Sequence, residues 1–215
     1  MKSILIALLL LTPLQHQDAY AATSADEAVL YEEIVEQAIN NCPNKKAEKV
    51  NSALLWELVE IEKQFNVPVK LRGMILAAAC KESGYNPSAK GDRKFSKDGK
   101  TPMAIGILQM WKIYEKMYPG IDRTDPKSAA TGWMKHIVSR IPKVKRLCKY
   151  RTEERIWVAA WVTGIRSKKK GGRCKERPLH LKTLKKWHRN IERERKKERE
   201  QYMPPTKALQ KGDGC

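Results

Sequence analysis

An apolar run that stops on a carboxylate sets the terms for this chain. Val69-Lys70-Leu71-Arg72-Gly73-Met74-Ile75-Leu76-Ala77-Ala78-Ala79 reads as a helix bound for a protein interior. It closes on Cys80-Lys81-Glu82-Ser83-Gly84-Tyr85-Asn86-Pro87. Carboxylates seldom lie in apolar surroundings without a partner or a task. The expectation is a shielded Glu82, kept protonated by desolvation and fit for the general acid catalysis that cleaves glycosidic bonds. The alternative is a water-facing residue in a helix's last turn, with Ser-Gly-Tyr-Asn-Pro as the helix stop.

A second motif follows, Ala104-Ile105-Gly106-Ile107-Leu108-Gln109-Met110-Trp111. Glu-Ser-Gly-Tyr-Asn-Pro-Ser-Ala and then Ala-Ile-Gly-Ile-Leu-Gln-Met, in that order, resembles the soluble lytic transglycosylases of the goose-type-lysozyme-like group. The resemblance covers about residues 66 to 166. A third family element, Ala-Tyr-Asn-Ala-Gly, is visible only as Ala160-Trp161-Val162-Thr163-Gly164. It implies a mainly α, lysozyme-like domain at 66–166. Helices at 22–65 would pack on it, and a basic helix and tail would occupy 167–215.

Met1-Lys2-Ser3, the short apolar stretch Ile4 to Leu11 and Ala19-Tyr20-Ala21 have the layout of a cleaved export signal over residues 1–21. The apolar stretch is too short to span a bilayer, and no lipid-anchor cysteine follows it. The expected destination is the periplasm or the exterior. There Cys42, Cys80, Cys148 and Cys174 would form two bridges in one of three pairings, leaving Cys215 odd. Cys-x-x-Cys and His clusters are absent from the sequence, so neither metal nor cofactor is expected. His136, His180 and His188 are scattered and read as surface or structural residues.

Helical periodicity dominates. Ser24-x-x-Glu27 has the form of a capping box for a first helix. A second helix is expected from about 47 to 65, and a third from Pro68 to Ser83. A loop follows at 87–99, with room for a short hairpin near 90–105. Further helices are expected at 108–118, from Asp125-Pro126 to 139, at 153–162 and at 183–202.

Charge is uneven. The net charge is +19, and residues 140–201 hold 23 basic and 7 acidic side chains. Such a field draws anionic polymers: stem-peptide carboxylates, teichoic acids, anionic lipid surfaces or nucleic acid. The alternative is a solvated helix laced by internal Glu–Arg pairs. The export signal and the lack of a nucleic-acid-binding motif speak against nucleic acid.

The resemblance assigns roles. Glu82 would protonate the oxygen between MurNAc and GlcNAc, then take a proton from the MurNAc 6-hydroxyl, leaving a 1,6-anhydro sugar. Ser83, Gln109, Met110 and Trp161 would line the sugar site. Three departures stand out: Gly91 where the family has a Ser, Val162 where it has an Asn, and a loop inserted at about 93–102. The first two point to altered recognition of N-acetyl groups, such as a preference for deacetylated glycan. Asp92 and Asp98 are candidate second carboxylates, one of which would turn transglycosylation into hydrolysis; for Asp98 the alternative is a solvated turn at Asp98-Gly99. A non-catalytic, cationic wall-polymer binder on the same scaffold is the rival function.

Overall fold

Seven helices and a small sheet make up the described parts of the chain: residues 14–44, 50–148, 152–161 and 178–202 of a computed structural model. Helices α1 (Leu14–Asn41) and α2 (Ser52–Lys63) precede a 3₁₀ turn at Val69–Leu71 and the apolar helix α3 (Met74–Ser83). Strands β1 (Lys90–Gly91), β2 (Ala104–Ile105) and β3 (Met110–Trp111) form an antiparallel sheet in that order. Its register pairs Gly91 with Ala104 and Ile105 with Met110. Helices α4 (Ile113–Met117), α5 (Pro126–Cys148), α6 (Glu153–Trp161) and α7 (Pro178–Tyr202) complete the described chain. The expectation of a mainly α protein holds.

One core unites these helices. Every residue of α3 from Met74 to Cys80 is buried, so its apolar run does what it predicts. Around it lie Tyr31 and Ile34 of α1, Leu55 and Leu58 of α2, Met134 and Ile137 of α5, and Trp157 and Ala160 of α6. Leu184 and Trp187 of α7 are fully buried, so the basic helix roofs α3 and α1 with its apolar face rather than standing apart. Each such side chain contributes roughly 1.5–3 kcal/mol by leaving water. Cys42 and Cys80 are bridged, tying the end of α1 to α3. Cys148 is also disulfide-bonded, while Cys174 and Cys215 lie outside the described residues.

Several expected boundaries are corrected. Helix α1 passes through Ser24 without a break, so Ser24 does not start a helix; no Gly or Pro interrupts residues 14–41. Residues 1–13 of the expected export signal lie outside the described set, as does the tail from 203. Helix α2 starts later than expected, where Asn51 Oδ1 accepts from the amides of Ala53 and Leu54. The helix expected from Pro68 is broken at Gly73, which has φ +85° because α1 presses on it: a Cβ there would lie 2.5 Å from Ile34 Cγ2. The helix expected at 108–118 splits into β3 and the short α4. Helix α5 continues past residue 139 to Cys148 with Pro142 inside it, and α7 begins at Pro178 rather than Thr183. No helix among the described residues is long and apolar enough to cross a membrane.

Candidate active site

Glu82 sits in the last turn of α3, where the buried face gives way. Gly84 caps the helix in the left-handed region, and Tyr85 follows at φ +66°. The chain therefore reverses sharply, and Asn86 Oδ1 fixes the new direction by accepting from the Ser88 amide at 2.9 Å. Ser83 Oγ lies 2.7 Å from the carbonyl of Ile107, stapling the helix end to the second motif. Its hydroxyl proton is thereby engaged by the fold, although Ser83 still borders the groove.

The second motif is a turn between β2 and β3, not a helix. Gly106, at φ +80°, has Arg123 against it, since a Cβ there would meet the Arg123 carbonyl at 2.0 Å. The Arg123 side chain, 8% exposed, donates Nε to Glu115 at 2.7 Å and Nη1 to the Met110 carbonyl at 2.9 Å. This clamp holds Gln109 at φ +46°. Gln109 Nε2 donates to the carbonyls of Ala89 (3.1 Å) and Gly106 (2.9 Å). Its Oε1 lies where a Cβ on residue 91 would be, at 2.3 Å. Gly91 is therefore more than a missing serine: the space is taken by the Gln109 amide.

Two adjoining cavities share Glu82 and Gln109 as walls. The larger, about 610 Å³, also touches Ser83, Asn86, Ala89 and Lys90. The smaller, about 200 Å³, also touches Asp92, Met110, Trp133, Trp161 and His180. The structure thus brings together Glu82, Ser83, Gln109, Met110, Trp161 and Asp92. Trp161, 5% exposed, packs edge-on against Trp133 with centroids 6.0 Å apart. Asp92 Oδ2 accepts the Trp111 indole N–H at 2.8 Å.

Two open readings are decided here. Glu82 is not shielded: its side chain is 37% exposed, because α3 delivers it to the lip of the groove rather than to the core. Asp98 lines neither cavity. It organises the inserted loop instead, accepting from the Thr101 hydroxyl and amide, the Ser96 hydroxyl and the Lys100 amide. Those donors, Thr101 foremost, hold its carboxyl well below the usual range.

Two residues with evident roles escaped the sequence reading. His180, in the first turn of α7, places Nε2 2.7 Å from Glu82 Oε1, and its ring stacks on Trp161 at 5.7 Å and 27°. No local pattern marks it. Glu62 is fully buried in α2 and accepts from Tyr31 Oη (3.0 Å) and the amides of Gly73 (2.6 Å) and Ile75 (2.8 Å). Burial pushes it up to about 7 against the pull of those donors, and the same burial with Glu62 beside it raises the Tyr31 phenol. A signal for Glu62 existed, since it lies in helical register with Leu55 and Leu58.

A separate groove of about 480 Å³ runs along α7, where Lys182, Lys185 and Arg189 meet Lys70 over Leu181. Glu192 is the acidic residue at its edge. The basic stretch at residues 168–173, and Val162 of the third motif, lie outside the described residues. No family model, no curated protein and no solved structure matches this chain.

Proposed function

We propose that this protein is a muramidase on a lysozyme-like scaffold, cleaving the β-1,4 bond between MurNAc and GlcNAc in peptidoglycan. The observation that carries the reading is the meeting of Glu82 and Gln109, 27 residues apart in sequence, as shared walls of two adjoining cavities. A groove bearing carboxyls, an amide and an indole suits a sugar chain. The carboxyl delivers a proton to the bridging oxygen, the amide orients hydroxyl or acetamido groups, and the aromatic surface stacks on sugar faces. The carboxylate then removes a proton from the MurNAc 6-hydroxyl as that oxygen closes on the anomeric carbon. One carboxylate suffices for this route. Asp92, facing the smaller cavity, is the group placed to orient a water for hydrolysis.

The export signal read in the sequence places the enzyme in the periplasm or outside the cell, where this substrate lies. The α7 groove, with four cations and one acid, supports a second contact with anionic wall polymers. The occupation of the Gly91 site by Gln109 favours altered reading of N-acetyl groups, and hence deacetylated glycan. Equal turnover of acetylated and deacetylated sacculi would remove that part of the proposal.

Digestion of purified sacculi, with mass spectrometry of the released muropeptides, tests the whole. Anhydro ends indicate transglycosylation, and reducing ends indicate hydrolysis. Glu82→Gln is expected to lower the rate at least about 10³-fold while sacculus binding persists. A wild-type protein that binds sacculi and releases nothing would leave the polymer-binding function in its place.

A further inference from the structure

We infer that His180 is a positioning residue for the catalytic carboxyl, so that the C-terminal helix forms part of the active site rather than an appendage to it. The inference rests on the reading of Glu82 as the acid.

The contact spans 98 residues of sequence and is short: His180 Nε2 lies 2.7 Å from Glu82 Oε1. The imidazole is held in place. The His180 side chain is 16% exposed, and its ring lies flat on the Trp161 indole, itself held edge-on by Trp133. Helix α7 is fixed in turn by Leu184 and Trp187, both without exposed surface, and by His188 Nε2 at 2.9 Å from the Arg72 carbonyl. Farther along α7, Arg195 pairs with Glu33 of α1. The imidazole is therefore carried on a rigid element, and the element is anchored before and beside α3.

Glu82 needs such a partner. Its side chain is 37% exposed at a helix end, and packing alone leaves a glutamate there several rotamers. An N–H donated to Oε1 selects one of them. It also divides the labour of the two oxygens. Oε1 stays with His180, and Oε2 is left for the substrate. In the first half-reaction the proton on Oε2 passes to the bridging oxygen as the glycosidic bond breaks. In the second, the 6-hydroxyl loses its proton to Oε2 as its oxygen bonds to the anomeric carbon. His180 keeps its own proton throughout, so the bond to Oε1 never has to break. As Oε2 gives up its proton, that bond strengthens toward a charge-assisted one, which favours the transition state over the ground state.

The test uses the full chain with three variants and two readouts. His180→Phe keeps a flat ring over Trp161 but cannot donate to Glu82. His180→Gln keeps an N–H donor on a side chain of similar reach. With soluble glycan strands as substrate, His180→Phe is expected to lose about 10- to 100-fold in kcat with KM within about two-fold, the cost of a carboxyl out of place by an ångström. His180→Gln is expected to recover most of that loss. A His180→Phe enzyme with wild-type kcat, a loss confined to KM, or a Gln variant as impaired as the Phe variant would each overturn the assignment. The second readout does not need turnover. The ring ¹⁵N shifts of His180 are expected to differ between the wild type and Glu82→Gln at pH 6, because they report what the Nε2 atom is bonded to. Identical shifts refute the contact. If the wild type releases no muropeptides while the shifts do differ, the muramidase reading fails, and the role of His180 in its reaction fails with it.

Discussion

Replacing Glu62 by Gln should change stability by an amount whose sign depends on pH. In the native protein this carboxyl has no exposed surface, and three donors reach it: Tyr31 Oη and the Gly73 amide at Oε1, and the Ile75 amide at Oε2. Burial raises it from 4.5 to about 7. Below about 4.5 the folded and unfolded chains both hold the proton, and the stabilising effect of that proton is fully present. Between about 4.5 and 7 the unfolded chain has released it while the folded chain keeps it, so stability falls as pH rises. Above about 7 the loss is complete and amounts to about 3 kcal/mol. Glutamine does not titrate and escapes this loss, but its NH₂ group must face one of the three donors, which costs about 1–3 kcal/mol. Glu62→Gln should therefore be the less stable protein at pH 4.5 by about that amount, and equal to or more stable than the wild type at pH 8. Urea denaturation of both proteins at the two pH values measures this directly. His136, which desolvation and the nearby Arg140 charge hold down to about 4, adds an opposite slope as pH falls from 6.5. It is common to both proteins and cancels in the difference. A stability difference that is the same at pH 4.5 and pH 8 would refute the reasoning, because it would mean that the three donors outweigh burial and keep Glu62 ionised throughout.

Two further outcomes follow from geometry. Gly91→Ser places a Cβ 2.3 Å from Gln109 Oε1, so the amide must leave its seat on the Ala89 and Gly106 carbonyls. Lytic activity should fall about ten-fold or more with a stability loss of about 1–3 kcal/mol, read by sacculus turnover and thermal denaturation. Cys42→Ala with Cys80→Ala opens a bridge between residues 38 apart, and denaturation should register a loss of up to about 4 kcal/mol from loop entropy.

The sequence carried the elements better than their joints. The apolar runs of α2, α3 and α6 are local signals, and each ends up facing the core. The order of the two motifs was enough to place Glu82 and Gln109 in one groove, because the fold brings a helix end and a following turn together. Residues 108–111, expected to open a helix, instead close a turn and form β3. Leu108, Met110 and Trp111 fit helical and extended spacing alike, and the decision falls to the positive φ of Gln109 and to the Arg123 clamp, which acts from outside the segment. The break at Gly73 likewise depends on Ile34 of α1. His180 was beyond reach for the same reason: its partner is 98 residues away, and its own helix begins five residues before the expected start at 183.

If Glu82 is the acid proposed above, its exposure alters how acid catalysis must work in this groove. The sequence suggested a carboxyl sheltered by its own helix, but the helix supplies no shelter beyond Cys80, and more than a third of the Glu82 side chain meets water. What the protein provides instead is a set of fixed points around that carboxyl. Ser83 is tied to Ile107, Gln109 is wedged against Gly91, Cys80 is bridged to Cys42, and His180 is stacked on Trp161. These points come from α1, α3, the β-turn, α6 and α7, so the geometry survives only if the whole core is intact. On the proposed muramidase reading, exclusion of water is left to the sugar chain. A strand that fills both cavities covers Glu82 from the Asn86 side and from the Trp161 side at once, whereas a short fragment fills only one. Binding energy from sugars on both sides of the scissile bond would thus be spent on drying the carboxyl, and shortening the substrate should lower kcat more than it raises KM.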